Sequence, residues 1–326
     1  MPHMKSIHQV LLLATLAWSG AALGAESGKF SFNDVPGKYL DVLQGGRIVA
    51  RYMDAWDVTT PERKLETYKP YLHIFDAEGK APITKGPGGT FTHHRGIFIG
   101  WNKIACNGKT YDRWHMKGGE QIHRKFLAQE AAAGHATFTS RVDWNNESGQ
   151  PLLEEERTMK FLPAAAPARL IVDFTSKLKA VAGDVVLDGD PEHAGCQYRP
   201  AAEVDAKQTA YTFPKENPDL KKDLDLPWVG ETYTLAGQQH SVVIMNHPDN
   251  PKGTRWSAYR DYGRFGAFAK APIKKGETLT FRYQFLIATG ALPPIELIQK
   301  TYNAYAGVNA PTPAVTVRKS ESKAKK

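Results

Sequence analysis

The chain has 326 residues, 41% of them hydrophobic and only two cysteines, which is enough material for a large core without disulfide staples. Its formal charge of +8 hints at nucleic acid until it is located: Lys5 precedes an apolar stretch, and Arg318, Lys319, Lys323, Lys325 and Lys326 crowd the C-terminus against Glu321, leaving about +3 on the body. No RNP-like, zinc-finger or helix-turn-helix pattern is present and no run approaches about 18 apolar residues, so neither a nucleic-acid partner nor a membrane span is expected.

Residues 1–25 read as a secretory signal: Lys5, the apolar core Val10 to Trp18, and the small residues Ala21 to Ala25. This predicts export to the periplasm or beyond. Residues 26–308 then read as one domain. Short alternating or apolar runs recur at Arg47 to Tyr52, Gly96 to Trp101, His135 to Trp144, Leu170 to Leu178, Ser241 to Met245 and Thr278 to Ile287. Leu170, Val172 and Phe174, and again Leu279, Phe281, Tyr283 and Phe285, carry the period of two that marks a strand with one face in a core. The expected fold class is mainly β: one large antiparallel two-sheet β-sandwich, with long irregular segments at 76–95, 102–120, 188–232 and 246–264. One helix is predicted after Pro293-Pro294, where Ile295, Ile298, Tyr302 and Tyr305 share a face and Gly307 stops it. The basic tail 309–326 is expected to be disordered. Cys106 and Cys196 could pair in an oxidising compartment.

The chemistry concentrates in the irregular segments. His93, His94 and Arg95 are followed within thirty-one residues by His115, Glu120 and His123. Imidazole exchanges protons near neutral pH and is the commonest metal ligand, so His94 and His115 are the expected acid or base, with Glu120 and His93 assisting. No nucleotide-binding glycine loop is present and no organic cofactor is implied; the alternative is a divalent metal on His94, His115, Glu120 and His123. His93 and His94, being adjacent, would point to opposite sides of an extended chain. Around them, alternation aligns His193, Gly195, Gln197 and Arg199. His247, Tyr259, Arg260, Asp261 and Tyr262 combine aromatic faces with forked donors, as a sugar requires. With Arg95 and His123, these make the expected substrate-binding set.

Lys69 to Leu72, His93 to Gly96, His247 to Pro251 and Arg260 to Gly263, taken together, resemble the PmoA-like family often labelled methane oxygenase PmoA, over about residues 38 to 290. A membrane oxygenase subunit needs spanning helices, and none is predicted here. What the resemblance implies is a secreted β-rich protein acting in carbohydrate breakdown. The segment Ala267 to Pro272 departs from the family's usual run. The expected function is an exported enzyme acting on a glycan or keto sugar by elimination, hydration or hydrolysis, on a sandwich like that of galactose mutarotase. A non-catalytic sugar-binding protein and a mononuclear metal enzyme are the rivals.

Overall fold

The computed structural model describes residues 28–320, so the signal-like stretch 1–25 lies outside the described residues. The protein is a β-sandwich. An eight-stranded antiparallel sheet runs in the order 30–35, 39–44, 47–53, 71–74, 97–101, 194–198, 265–268, 255–258. It packs on a nine-stranded sheet ordered 316–319, 210–213, 228–235, 238–246, 278–289, 168–180, 151–163, 135–145, 121–132. A four-stranded sheet (271–273, 185–188, 103–106, 109–111) closes one end.

Period-two alternation builds the core. Tyr52, Leu72, Ile97, Ile99 and Trp101 of the first sheet meet Phe138, Phe161, Val172, Phe174, Phe281 and Phe285 of the second. The intervening residues of the central nine-stranded strands, Val243, Met245, Leu286 and Ala288, face the other way and are covered by the predicted helix Ile295–Ala306 through Ile298 and Tyr302. That helix ends at Gly307, whose left-handed φ of 67° lets its N–H cap Asn303 O. A second helix, Pro61–Thr67, was not expected; Thr60 caps it by accepting from Arg63 N at 3.2 Å, with proline in its first turn.

Three expectations are corrected here. The tail is ordered at least to Ser320, because Thr316–Lys319 adds an edge strand to Ala210–Phe213 and the Ser320 N–H reaches Thr209 O. Segments 102–120, 188–232 and 246–264 are not irregular throughout but contain strands, among them Lys103–Cys106, Lys109–Tyr111, Ala210–Phe213 and Arg255–Ala258. Cys106 and Cys196 are both buried free thiols, held in different sheets.

The outer face of the eight-stranded sheet is polar and carries Arg51, Tyr71, His73, Gln197, Arg199 and Arg264. Gly195, beside His193, is pinned by φ +81° and by space, since a Cβ there would collide with the Ala267 carbonyl oxygen and the Phe268 side chain. Gly195→Ala is therefore expected to destabilise the fold by more than about 2 kcal/mol, read as a lowered midpoint of urea unfolding.

Candidate metal centre

Three loops meet above that outer face and bring together three imidazoles. His93, His115 and His193 each place a ring nitrogen within 4.8 Å of the others. Their ring centroids lie 4.4 Å (His93 to His115), 4.7 Å (His115 to His193) and 6.0 Å (His93 to His193) apart.

Two of the three are held by the same local device. Asp112 Oδ1 accepts the backbone N–H groups of Trp114 (2.9 Å) and His115 (2.8 Å), and its Oδ2 takes His115 Nδ1 at 2.7 Å. Asp190 Oδ1 accepts Glu192 N (3.0 Å) and His193 Nδ1 (2.8 Å), while Asn102 Nδ2 holds Oδ2 at 2.7 Å. Aspartate favours such turns because its carboxylate bonds the backbone two or three residues on. A carboxylate accepts only, so each Nδ1 is the donor, and in the neutral ring Nε2 then carries the free lone pair. His93 comes from a tight turn in which Phe91 has φ 57° and His94 N bonds Phe91 O at 2.9 Å. The turn, rather than an extended strand, sets the His93 and His94 rings 4.4 Å apart, which corrects the expectation that they face opposite sides. The buried Nε2 of His93 has no hydrogen-bond partner.

The electrostatics favour the neutral forms of His93 and His193. Burial, then His115, Lys69 and His193, pulls His93 down to about 3. Burial also lowers His193, outweighing Asp190. Burial alone would raise Asp112, but hydrogen bonds from His115 and from the backbone outweigh it and keep the carboxylate ionised at neutral pH. Neutral imidazoles with free Nε2 atoms, braced at Nδ1 by carboxylates, are what a divalent cation of the zinc type requires. Three nitrogens about 2.1 Å from one ion at tetrahedral angles stand about 3.4 Å apart, so small side-chain rotations close the set.

Of the expected metal quartet, only His115 is in this trio. His94 sits beside it, 2% exposed, between Phe91, Trp114 and Tyr262, with neither ring nitrogen hydrogen-bonded and its pKa driven far down by burial, Arg264 and His93. Glu120 instead pairs with Lys64 at 2.9 Å at the start of strand Gln121–Ala132. His123, two residues into that strand, bonds Ser140 Oγ at 2.6 Å and packs on Tyr52 and Phe126. His247 lies against Tyr305 of the C-terminal helix. These three do not join the centre, because each is drawn to the nine-stranded sheet or the helix that covers it. The rest of the expected substrate set does gather near it. Arg199 lies 4.8 Å over the Tyr262 ring and bonds the Tyr262 carbonyl, and Tyr262 is 5.3 Å from the 44% exposed Phe91. Tyr259 and Arg260 both bind Glu192, next to His193, while the Asp261 carbonyl accepts from Thr209. Arg95 is wholly buried beneath, between Tyr68 and Tyr71. Asp112, Asp190 and Glu192 were not among the expected site residues, although Asp112-x-x-His115 and Asp190-x-x-His193 repeat one spacing.

A cavity of about 530 Å³ lies on the same face of the sheet, lined by Tyr39, Arg51, Lys69, Tyr71, His73 and Phe75 among others and by none of the three histidines. A smaller one, of about 340 Å³, holds His123 with Asp34 and Asp54. Burial, then Asp34, raises Asp54 to about 7, so its stabilising protonated form is complete below about 3.8 and is lost as pH rises through about 7. Asp54→Asn should therefore stabilise the protein by roughly 2–4 kcal/mol at pH 8 and by nothing near pH 3, measured by urea unfolding at the two pH values.

Fold and site thus define a β-sandwich protein with a three-histidine centre on the outer face of one sheet. The chain belongs to the family of unknown function DUF6807, whose model matches residues 39–303. That match corrects the resemblance to the PmoA-like family, which rested on four-residue motifs. No curated protein matches the chain. Among solved structures, it is similar to a heparan sulfate lyase from Pedobacter heparinus (TM-score 0.40, 12% identity, 82% of this chain and 36% of that one). It is also similar to a galactose mutarotase-like protein from Lactobacillus casei (TM-score 0.35, 9% identity, 80% of this chain and 100% of that one). A galactose mutarotase-related enzyme from Lactobacillus acidophilus scores alongside (TM-score 0.34, 9% identity, 80% and 97%). The aligned part spans little more than a third of the lyase. These are likenesses of strand arrangement and say nothing of chemistry. Among the described residues, no helix is long and apolar enough to cross a membrane.

Proposed function

We propose that this chain is an exported, metal-dependent enzyme acting on a carbohydrate, with His93, His115 and His193 binding one divalent ion. The observation that carries the reading is the convergence of three imidazoles, two of them oriented by an aspartate at Nδ1. Three protein ligands leave a coordination position for water or a sugar oxygen, as in catalytic zinc sites. Asp112 and Asp190 are committed to imidazoles, which disfavours a glycosidase working through two free carboxylates. The reaction is then elimination, hydration or hydrolysis with the ion polarising a substrate oxygen. His94, its buried ring nitrogens unpartnered beside the trio, would donate a hydrogen bond to the oxygen on which charge develops. Phe91, Tyr259 and Tyr262 supply faces for a pyranose ring, with Arg260 and Glu192 for its hydroxyls.

Elemental analysis of protein purified without chelator tests this. About one equivalent of a single divalent transition metal per chain is expected, and less than about 0.1 equivalent would overturn the reading, since such sites hold their ion tightly.

A further inference from the structure

Buried charges are normally paired. Around the trio that rule is broken repeatedly with the same sign. Lys69, Arg95, Arg199 and Arg264 are all 3% exposed or less, and none forms an ion pair among the described residues. Each is tethered by neutral groups. Lys69 Nζ donates to Trp114 O at 2.7 Å and lies 3.8 Å over the Phe98 ring; Arg95 donates to the carbonyls of His94 and Leu65. Arg199 donates to Pro200 O and Tyr262 O, and Arg264 to Gln197 Oε1 at 3.1 Å and Ser257 Oγ at 2.9 Å. Glu231 lies near Arg199 and Arg264 but pairs with neither, and its burial favours the uncharged acid. Asp112 and Asp190 are the carboxylates that touch the centre, and both are bound to its histidines. The three guanidinium groups lie close enough to act on His93 or His94, Arg95 on His93 and Arg199 and Arg264 on His94, while burial pushes Lys69, which neighbours both rings, toward its neutral amine.

A field of unneutralised buried guanidinium groups is costly, and low-dielectric walls strengthen its pull on an anion that enters. With Glu231 biased by burial toward its neutral acid and in no ion pair with either arginine, an entering anion can supply the counter-charge. We infer that the substrate is an acidic sugar, whose carboxylate enters beside His94 and answers the charge of Arg95, Arg199 and Arg264. The inference deepens the proposed carbohydrate function, but it rests on the arginines and not on the metal. Lys69 also lines the 530 Å³ cavity on the same face of the sheet.

The test is calorimetric titration of the purified protein with D-glucuronate and D-galacturonate against their methyl esters, with metal content measured on the same samples. At least one acid should bind tenfold or more tightly than its ester. Arg264→Met should abolish that preference, and Arg264→Lys should keep most of it, with metal content unchanged in both. Acids that bind no tighter than esters, or not at all, overturn the inference even where one equivalent of metal is found. So does a preference that survives Arg264→Met, which would mean the carboxylate merely ligates the ion. Preference for an acid in protein that holds no metal would sink the metal reading and leave this one standing. If Arg264→Met does not fold, as judged by circular dichroism, the acid-to-ester ratio of the wild-type protein decides before and after chelation, and a preference lost with the ion counts against the inference.

Discussion

His193→Ala is expected to lower the affinity for a divalent ion by about three orders of magnitude. Structural zinc sites bind with roughly 10–16 kcal/mol, so one ligand of three carries about 4 kcal/mol. Asp190→Asn and Asp112→Asn keep the imidazoles but weaken their orientation, and should cost only about 10–100-fold. That gradient separates a metal centre from a merely crowded histidine cluster, in which removing an aspartate and removing a histidine would be equivalent. His123→Ala and His247→Ala serve as controls, because both rings lie on other parts of the molecule. Competition titration against a chromophoric chelator reads all five variants. Equal affinities for His193→Ala and wild type would remove His193 from the centre.

Glu155→Gln is expected to cost about 3–5 kcal/mol of stability, because it strands a buried guanidinium. Glu155 and Arg157 are both wholly buried between the sheets and joined through two bonds, at 2.9 and 2.7 Å. Trp144 Nε1 adds a third contact to the carboxylate at 2.8 Å, and Arg157 reaches across to Pro70 O at 3.1 Å, just before strand Tyr71–Ile74. The pair therefore ties the nine-stranded sheet to the one that carries the candidate site. Urea unfolding checks it, and a loss under about 1 kcal/mol would show that the arginine finds another partner. Replacing both residues by apolar side chains of similar volume should restore much of the loss, since burying two charges is itself costly.

The sandwich was legible because its long strands bury one face. Leu170, Val172 and Phe174 point inward as their alternation requires, and the helix after Pro294 stops at its glycine. Several strands of three or four residues, such as Lys103–Cys106, Lys109–Tyr111 and Val185–Asp188, were not, since two or three alternations do not rise above chance in a loop rich in glycine and proline. The tail misled for a related reason: Thr316–Lys319 is stabilised by main-chain bonds to Ala210–Phe213, to which its lysine-rich composition gives no clue. At the site, residue type was readable and partnership was not. His93, His115 and His193 were all singled out, but proximity in sequence favoured Glu120 and His123 over His193, seventy-eight residues beyond His115. Strand register decides such matters, and it is a long-range property. One local signal was available. An aspartate three residues before a histidine, occurring twice, marks the turn in which a carboxylate fixes the histidine tautomer.

The central claim is that three imidazoles from loops far apart in the chain bind one ion. X-ray absorption at the metal edge of the loaded protein tests it most directly. The account predicts three imidazole nitrogens at about 2.0–2.1 Å completed by one or two oxygen ligands, falling to two imidazoles in His93→Ala. A shell of oxygens alone, or one unchanged by His93→Ala, would contradict it.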